Sequence, residues 1–246
     1  MTHYLLTAMS AFFILLLQAG CNYHGCCSSC ANGEETEKGF EVLFDGTSTD
    51  AFRGWKLDGF PEKGWVIEEG ALRKVAQAGG GDILTKKQYD SFDLRWEWKV
   101  AEAANSGVMY HVAEANDLGA TYFTGPEYQI LDDSKHPDGQ NPKTSSAALY
   151  GLIACNEQKK LMPVGEWNSS RLLVKGNHVE HWLNDKKVVE YELGSDELNK
   201  LIAASKFNSW KRFAKETTGH ITFQDHGDDV WFRNIRIKPL SEEQAK

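Results

Sequence analysis

The sequence predicts an all-β protein, an antiparallel sandwich with one short late helix. Three observations carry that expectation. The segment FDLRWEWKV at 92–100 alternates without a break, with Phe92, Leu94, Trp96, Trp98 and Val100 on one face and Asp93, Arg95, Glu97 and Lys99 on the other. That is the period of a half-buried strand. Short segments rich in β-branched and aromatic residues recur along the chain, separated by turn residues. One stretch alone, SDELNKLIAAS at 195–205, has helical spacing: Ser195 is placed as N-cap, acids occupy the first turn, and Leu198, Leu201 and Ile202 share a side. A parallel sheet would need a helix between successive strands, which this pattern lacks.

In chain order, FEVLF (40–44) opens the folded region and runs into the DGTST turn. WVIEE and ALRK flank Gly70 as a hairpin, and FDLRWEWKV follows. SGVMYHV, PEYQIL, RLLVKG, HVEHWLN, KVVEYEL, HITFQ and WFRNIRI continue the series, with Asn184 and Asp185 as the turn between HVEHWL and KVVEYEL. The domain is therefore drawn from 40 to 240, with 241–246 as a tail. Its roughly 200 residues suit a single β-rich unit. A hydrophobic content of 41%, with 8 Trp, 8 Tyr and 12 Phe, supplies the core.

The first twenty residues, MTHYLLTAMSAFFILLLQAG, hold an apolar run from Tyr4 to Leu17, too short for a bilayer span and the length of a signal-peptide core. Leu17, Gln18, Ala19 and Gly20 precede Cys21, which resembles the lipobox of bacterial lipoproteins. Gln18 departs from the usual small or aliphatic residue, and the start offers His3 in place of Lys or Arg. Residues 1–21 are thus expected to be an export signal ending in a lipidation site at Cys21, and 22–39 a small, polar linker. The expected localisation is periplasmic or cell-surface, with a lipid anchor holding the protein to the membrane. Cys21, Cys26, Cys27 and Cys30 cluster here with only Cys155 in the body, so no disulfide framework supports the fold. The cluster lacks the second ligand pair of a zinc finger and reads as part of the tether.

A net charge of −8, with no stripe of Lys and Arg interleaved with aromatics, argues against nucleic acid as a partner. No Gly-rich phosphate loop, HExxH or GxSxG motif is present. His178 and His181, three apart in a strand, face opposite ways and make a poor metal pair. His136, in the loop DDSKHPDGQNP, reads as a surface histidine.

The informative stretch is GPEYQILDD at 125–133. In a strand, Glu127, Gln129 and Leu131 share one face while Tyr128 and Ile130 share the other, so one face is core and the other is wet surface or a site. Retaining β-sandwich glucanases set two carboxylates on such a face, ~5–5.5 Å apart. Here Gln129 stands where the second would be, which disfavours double displacement. Other segments add Asn105 from NSG, Tyr150 from ALYG, Trp167 from GEWN, Asp225 and His226 at a strand end, and Arg233 from WFRNIRI. Directional hydrogen bonders with aromatic platforms suit a carbohydrate. Two function classes fit: a carbohydrate-active enzyme, and a lectin-like binding module without chemistry.

The strings GFEVLFDG, WVIEEGAL, ILTKKQYDSFDLRWEWKV, NSGVMYHV, GPEYQILDD, ALYGLI, GEWNSSRLLVKGNHVEHWLNDKKVVEYEL and GHITFQDHGDDVWFRNIRIKPL, in this order from Phe40 to Leu240, resemble the 3-keto-disaccharide hydrolase family, also described as a 3-keto-glucoside 1,2-lyase and 3-keto-2-hydroxy-glucal hydratase domain. The resemblance implies a concanavalin A-like jelly-roll sandwich and an enzyme cleaving 3-keto-glycosides by 1,2-elimination and hydration. A C3 ketone acidifies the C2 hydrogen, so one base replaces the paired nucleophile. The chemistry of the residues assigns proton transfer to Glu127 and His226, imidazole being the side chain that ordinarily titrates nearest neutrality. Gln129, Asp225, Asn105, Tyr150, Trp167 and Arg233 are the expected substrate-binding set. The residues assign no cofactor, and they leave a divalent metal open.

Overall fold

The computed structural model describes residues 38–241, together with Met1 and Glu243. The export signal, Cys21, nearly all of the 22–39 linker, the Cys26-Cys27-Cys30 cluster and most of the tail lie outside the described residues. All regular elements of the described residues belong to one compact unit. None of the described helices is long and apolar enough to cross a membrane.

The strands are β1 (Glu41–Phe44), β2 (Phe52–Gly54), β3 (Trp65–Glu68), β4 (Ala71–Lys74), β5 (Ile83–Thr85), β6 (Phe92–Val100), β7 (Asn105–Val112), β8 (Glu127–Leu131), β9 (Asn168–Lys175), β10 (His178–Leu183), β11 (Lys186–Glu192), β12 (His220–Phe223) and β13 (Val230–Pro239). The helix is α1 (Asp196–Ala203). They form two antiparallel sheets of a concanavalin A-like jelly roll. One has eight strands in the order β11-β10-β9-β6-β13-β4-β3, with β1 paired to the second half of β13. The other has five, in the order β2-β5-β12-β7-β8.

Local chemistry explains the elements. Glu69 and Gly70 join β3 to β4 with φ of 50° and 73°, and Asn184 and Asp185 join β10 to β11 with φ of 47° and 63°. Two successive left-handed residues are the turn whose twist matches a hairpin. The β6 alternation is realised: Phe92, Leu94, Trp96, Trp98 and Val100 are buried between the sheets. Trp98 Nε1 donates to Ser170 Oγ at 2.8 Å, so its one polar atom is satisfied. Ser195 caps α1 by accepting from the Leu198 N–H at 3.1 Å, and the chain then enters a 3-10 turn, Lys206–Ser209.

His178 and His181 do face opposite ways. His178 is on the outer face beside Glu192, while His181 is buried, donating from Nδ1 to Ala147 O at 2.9 Å. Burial lowers the His181 imidazole to about 4, so it is neutral in the fold. An unfolded chain takes up that proton near the ordinary value, so stability falls as pH drops from about 6.5 to about 4. The loss amounts to up to about 3 kcal/mol. His181→Gln should flatten this limb of an acid denaturation curve, and an unchanged limb would remove His181 as its cause.

The strand that holds Glu127 is at a sheet edge, yet its backbone is covered. Ala147 N–H donates to Gln129 O at 2.8 Å, Gln129 N–H to Ala148 O at 3.2 Å, and Tyr150 N–H to Glu127 O at 3.0 Å. Segment 147–150 thereby occupies the edge that would otherwise invite another chain. It also brings Tyr150 alongside Glu127.

Candidate active site

On β8, Tyr128 and Ile130 enter the core between the sheets, and Glu127 and Gln129 take the opposite face. That outer face of the five-stranded sheet floors a cavity of about 300 Å³. Ligand clefts run from roughly 300 to 1,000 Å³, so this one suits a small ligand. The walls combine polar and aromatic groups. Asn105, Gln224 and His226 contribute from β7 and the stretch after β12, and Tyr150 and Lys206 from the loops. The roof is aromatic: Phe207 stacks on Phe213 with centroids 4.2 Å apart, and Trp210 bridges Phe207 at 5.1 Å and Tyr122 at 5.3 Å.

A glycine makes the floor. Gly107 pairs with Gln129 across the β7–β8 ladder, and Glu127 leans over it. A Cβ at Gly107 would lie 2.1 Å from Glu127 Oε1. Alanine fits the strand backbone there but not this space, so Gly107→Ala should displace the carboxylate and leave the fold intact. Misplacement by ~1 Å can cost ~10²-fold in rate. Wild-type turnover by a folded Gly107→Ala protein would show that the carboxylate position does not matter.

Glu127 is buried, and burial pushes its carboxyl up to about 8. The Lys206 ammonium opposes the rise, while the Asp82 and Asp138 carboxylates add to it. Lys206 Nζ lies 4.4 Å above the Tyr150 ring and donates to its hydroxyl at 3.3 Å. The Tyr150 hydroxyl in turn donates to Asp138 Oδ2 at 3.3 Å, and burial, then Asp138, raise the phenol to about 12. Among the described residues lining the cavity, Glu127 is the one acid.

Of the residues expected from sequence, Glu127, His226, Gln129, Asn105 and Tyr150 converge on this cavity. His226 is exposed at the rim. Gln129 shapes the wall, since its Oε1 accepts from the Ile130 N–H at 3.0 Å and its Nε2 donates to Thr144 O at 3.2 Å. Asp225 is engaged elsewhere, because its carboxylate pairs with buried Lys74 at 3.0 Å and accepts the N–H groups of Gly81 at 2.9 Å and Gly227 at 3.0 Å. Trp167 and Arg233 stack on one another at 4.0 Å, and Arg233 is ion-paired with Glu97 at 2.7 Å. They belong to the outer face of the eight-stranded sheet, so the structure does not bring them to the cavity. Alternation along β13 separates core from surface but does not say which surface carries the site.

His136 also departs from expectation. Rather than a plain surface side chain, its ring lies edge-on to His226 at 6.3 Å and within 3.3 Å of the Asn105 amide. Sequence reasoning passed over Lys206 and the roof. The signal was present in KFNSWKRF, where Phe207, Trp210 and Phe213 recur every three residues immediately after the helix. Among the described residues, the group able to converge on a metal ion is His178, Glu180 and Glu190, on the outer face of the eight-stranded sheet. Glu192 already holds His178 at 2.7 Å, and Lys187 bridges Glu180 at 3.1 Å and Glu190 at 2.8 Å.

Comparison with known proteins agrees with this fold. A 3-keto-disaccharide hydrolase of Bacteroides thetaiotaomicron is 37% identical over 230 residues, covering 82% of this chain and 79% of its own. A crystal structure from Parabacteroides distasonis, provisionally assigned as a glycosyl hydrolase, superposes with a TM-score of 0.76 at 34% identity, over 82% of this chain and 94% of that one. The lumenal domain of VIP36, at 6% identity and a TM-score of 0.52 over 81% of this chain and 88% of that one, shares the fold alone. Residues 39–238 match the family described as a 3-keto-alpha-glucoside-1,2-lyase-like domain, and the chain belongs to that family.

Proposed function

We propose that this glycoside-acting hydrolase cleaves 3-keto-glycosides by elimination across C1 and C2 followed by hydration. The observation that carries the reading is Glu127, a buried carboxyl raised to about 8 and the one acid among the described lining residues. A retaining hydrolase requires a second carboxyl at ~5–5.5 Å and an inverting one at ~6.5–9.5 Å. Elimination requires a single strong base.

In this mechanism ionised Glu127 removes the C2 proton, which the neighbouring ketone has acidified. The C2–H electron pair moves toward C3 and leaves negative charge on the keto oxygen. Its return forms C1=C2 as the C1–O bond breaks, and the departing oxygen takes a proton from His226 at the rim. Water then adds to the enone, its hydroxyl to C1 and its proton to His226, while Glu127 returns a proton to C2, and the sum is hydrolysis. A raised carboxyl suits the first step because basicity tracks pKa. Gln224 Oε1, buried beside the cavity without a partner among the described residues, offers an acceptor to a sugar hydroxyl. The aromatic roof supplies an apolar face for the ring.

The test is a 3-keto-disaccharide carrying deuterium at C2. Elimination must show a primary isotope effect on the rate and form a 2-hydroxy-glucal intermediate, and label lost to solvent measures exchange from Glu127 before hydration returns it. A rate insensitive to the label, with no glucal formed, would establish direct displacement. Binding of the sugar without any cleavage would leave the lectin-like reading in its place. Export and anchoring through Cys21 belong to the same proposal, because the substrate is then met outside the cytoplasm.

A further inference from the structure

One step of the proposed mechanism still lacks a protein group: the charge that builds on the keto oxygen as the C2 proton leaves. The polar end of the cavity supplies it. Asn105 opens β7, is 4% exposed, and lines the cavity. Its backbone is held in place by donation of its N–H to Asp228 Oδ2 at 3.0 Å. Its amide is placed with Nδ2 3.3 Å from His136 Nε2 and Oδ1 buried without a partner among the described residues.

Which end is nitrogen follows from His136. The Asp138 N–H donates to His136 Nδ1 at 3.1 Å, so that ring nitrogen carries a lone pair and no proton. The imidazole is therefore the neutral tautomer with its proton on Nε2. An Nε2–H needs an acceptor, and the atom in reach is the Asn105 amide. Its oxygen must face His136, which turns the NH2 toward the cavity; the two ends are alike in shape, and only the hydrogen-bond network tells them apart. The group buried without a partner is then a donor, and a ligand must bring the acceptor.

We propose that Asn105 is a catalytic residue that donates to the C3 keto oxygen and stabilises the enolate, with His136 as the positioning residue that turns its amide. The assignment rests on the 3-keto-glycoside reading and completes it. Spacing agrees. Asn105 and Gly107 are successive residues on one face of β7, about 7 Å apart at the backbone. The Glu127 carboxylate lies over Gly107, so base and donor straddle the floor from which adjacent C2 and C3 would be addressed. Charge develops on the oxygen only as the proton leaves, so the donor acts mainly on the rate.

Asn105→Asp tests it, since the shape is kept and an oxygen still faces His136, but an acceptor replaces the donor. Loss of C2 deuterium from a labelled 3-keto-disaccharide is measured in single turnover, beside kcat and KM. The expected result is a fall of about 10²–10³-fold in the exchange rate and kcat, with KM within a few-fold. Asn105→Ala, checked for cooperative melting, should fall equally and guards against misfolding caused by a buried charge. His136→Phe should lower kcat about 10-fold at unchanged KM, and His136→Gln, which keeps a donor near the Nε2 position, should restore it. Wild-type exchange together with unimpaired exchange in folded Asn105→Asp or Asn105→Ala would overturn this assignment alone. Equal rates for His136→Phe and His136→Gln would overturn the positioning role. A wild-type protein that neither cleaved nor exchanged the labelled 3-keto-disaccharide would remove the 3-keto reading itself, and this assignment with it.

Discussion

Replacing Glu127 with Gln is expected to lower kcat by about 10²–10⁴-fold, the usual cost of a lost general base, with the side chain's volume preserved. Stability should move the other way. The folded carboxyl, raised by burial to about 8, resists ionisation that the unfolded chain undergoes near the ordinary 4.5. Between those values the native state holds the proton that the unfolded state has released, so each step up in pH favours unfolding. Wild type should therefore lose stability from about pH 4.5 to about pH 8 and level off above. The amide that replaces the carboxyl does not titrate. The variant should gain on wild type across that window by roughly 3–5 kcal/mol at its upper end. Paired melting curves at pH 5 and pH 8.5, beside kcat at both, measure the two effects. A variant that is inactive yet gains no stability at high pH would mean that the carboxyl is not held in its protonated form. The wild-type rate should rise with pH toward about 8 as the base becomes ionised, and a rate that falls over this range would assign Glu127 the acid's role.

The second large effect lies at Asp225, and it is structural. Its carboxylate meets Lys74 Nζ at 3.0 Å, where the two side chains are 9% and 1% exposed. Lys74 has one further acceptor, Val75 O at 2.6 Å. Removing one member of such a pair strands the other in low dielectric, which costs about 3–5 kcal/mol, whereas substituting both by apolar groups can be neutral. Asp225→Ala should thus lower the denaturant midpoint sharply, and Asp225→Ala with Lys74→Met should recover much of the loss. KM for the sugar should hold in whatever fraction stays folded. Unchanged stability with a raised KM would return Asp225 to the substrate.

These outcomes separate what the chain declares locally from what only its fold declares. The unbroken alternation at 92–100 gave β6 its buried face because sheet geometry has a period of two. The pair Glu127 and Gln129 was legible for the same reason, and so was the missing second carboxylate. Asp225 and His226 are neighbours in sequence with opposite fates, one tied to Lys74 and the other at the cavity rim. A strand end does not reveal which way its last residues turn. Trp167 and Arg233 offer chemistry a sugar could use, yet they lie on the other sheet; alternation assigns residues to faces and leaves the choice between two outer faces to the topology. Lys206 reaches Tyr150 from 56 positions away, and His136 reaches Asn105 from 31. Such encounters depend on where loops cross the sheet, which no local period encodes.

The pairing of β1 with β13 bears on how the chain can be rewired. Glu41 stands opposite Ile237 in the eight-stranded sheet, while the cavity is on the five-stranded one. Beginning and end of the domain are thus neighbours on a sheet that carries no part of the cavity floor. A short linker should join them, and new termini opened in an exposed loop of the eight-stranded sheet, such as the Asn184-Asp185 turn, should yield a circular permutant with its substrate site undisturbed.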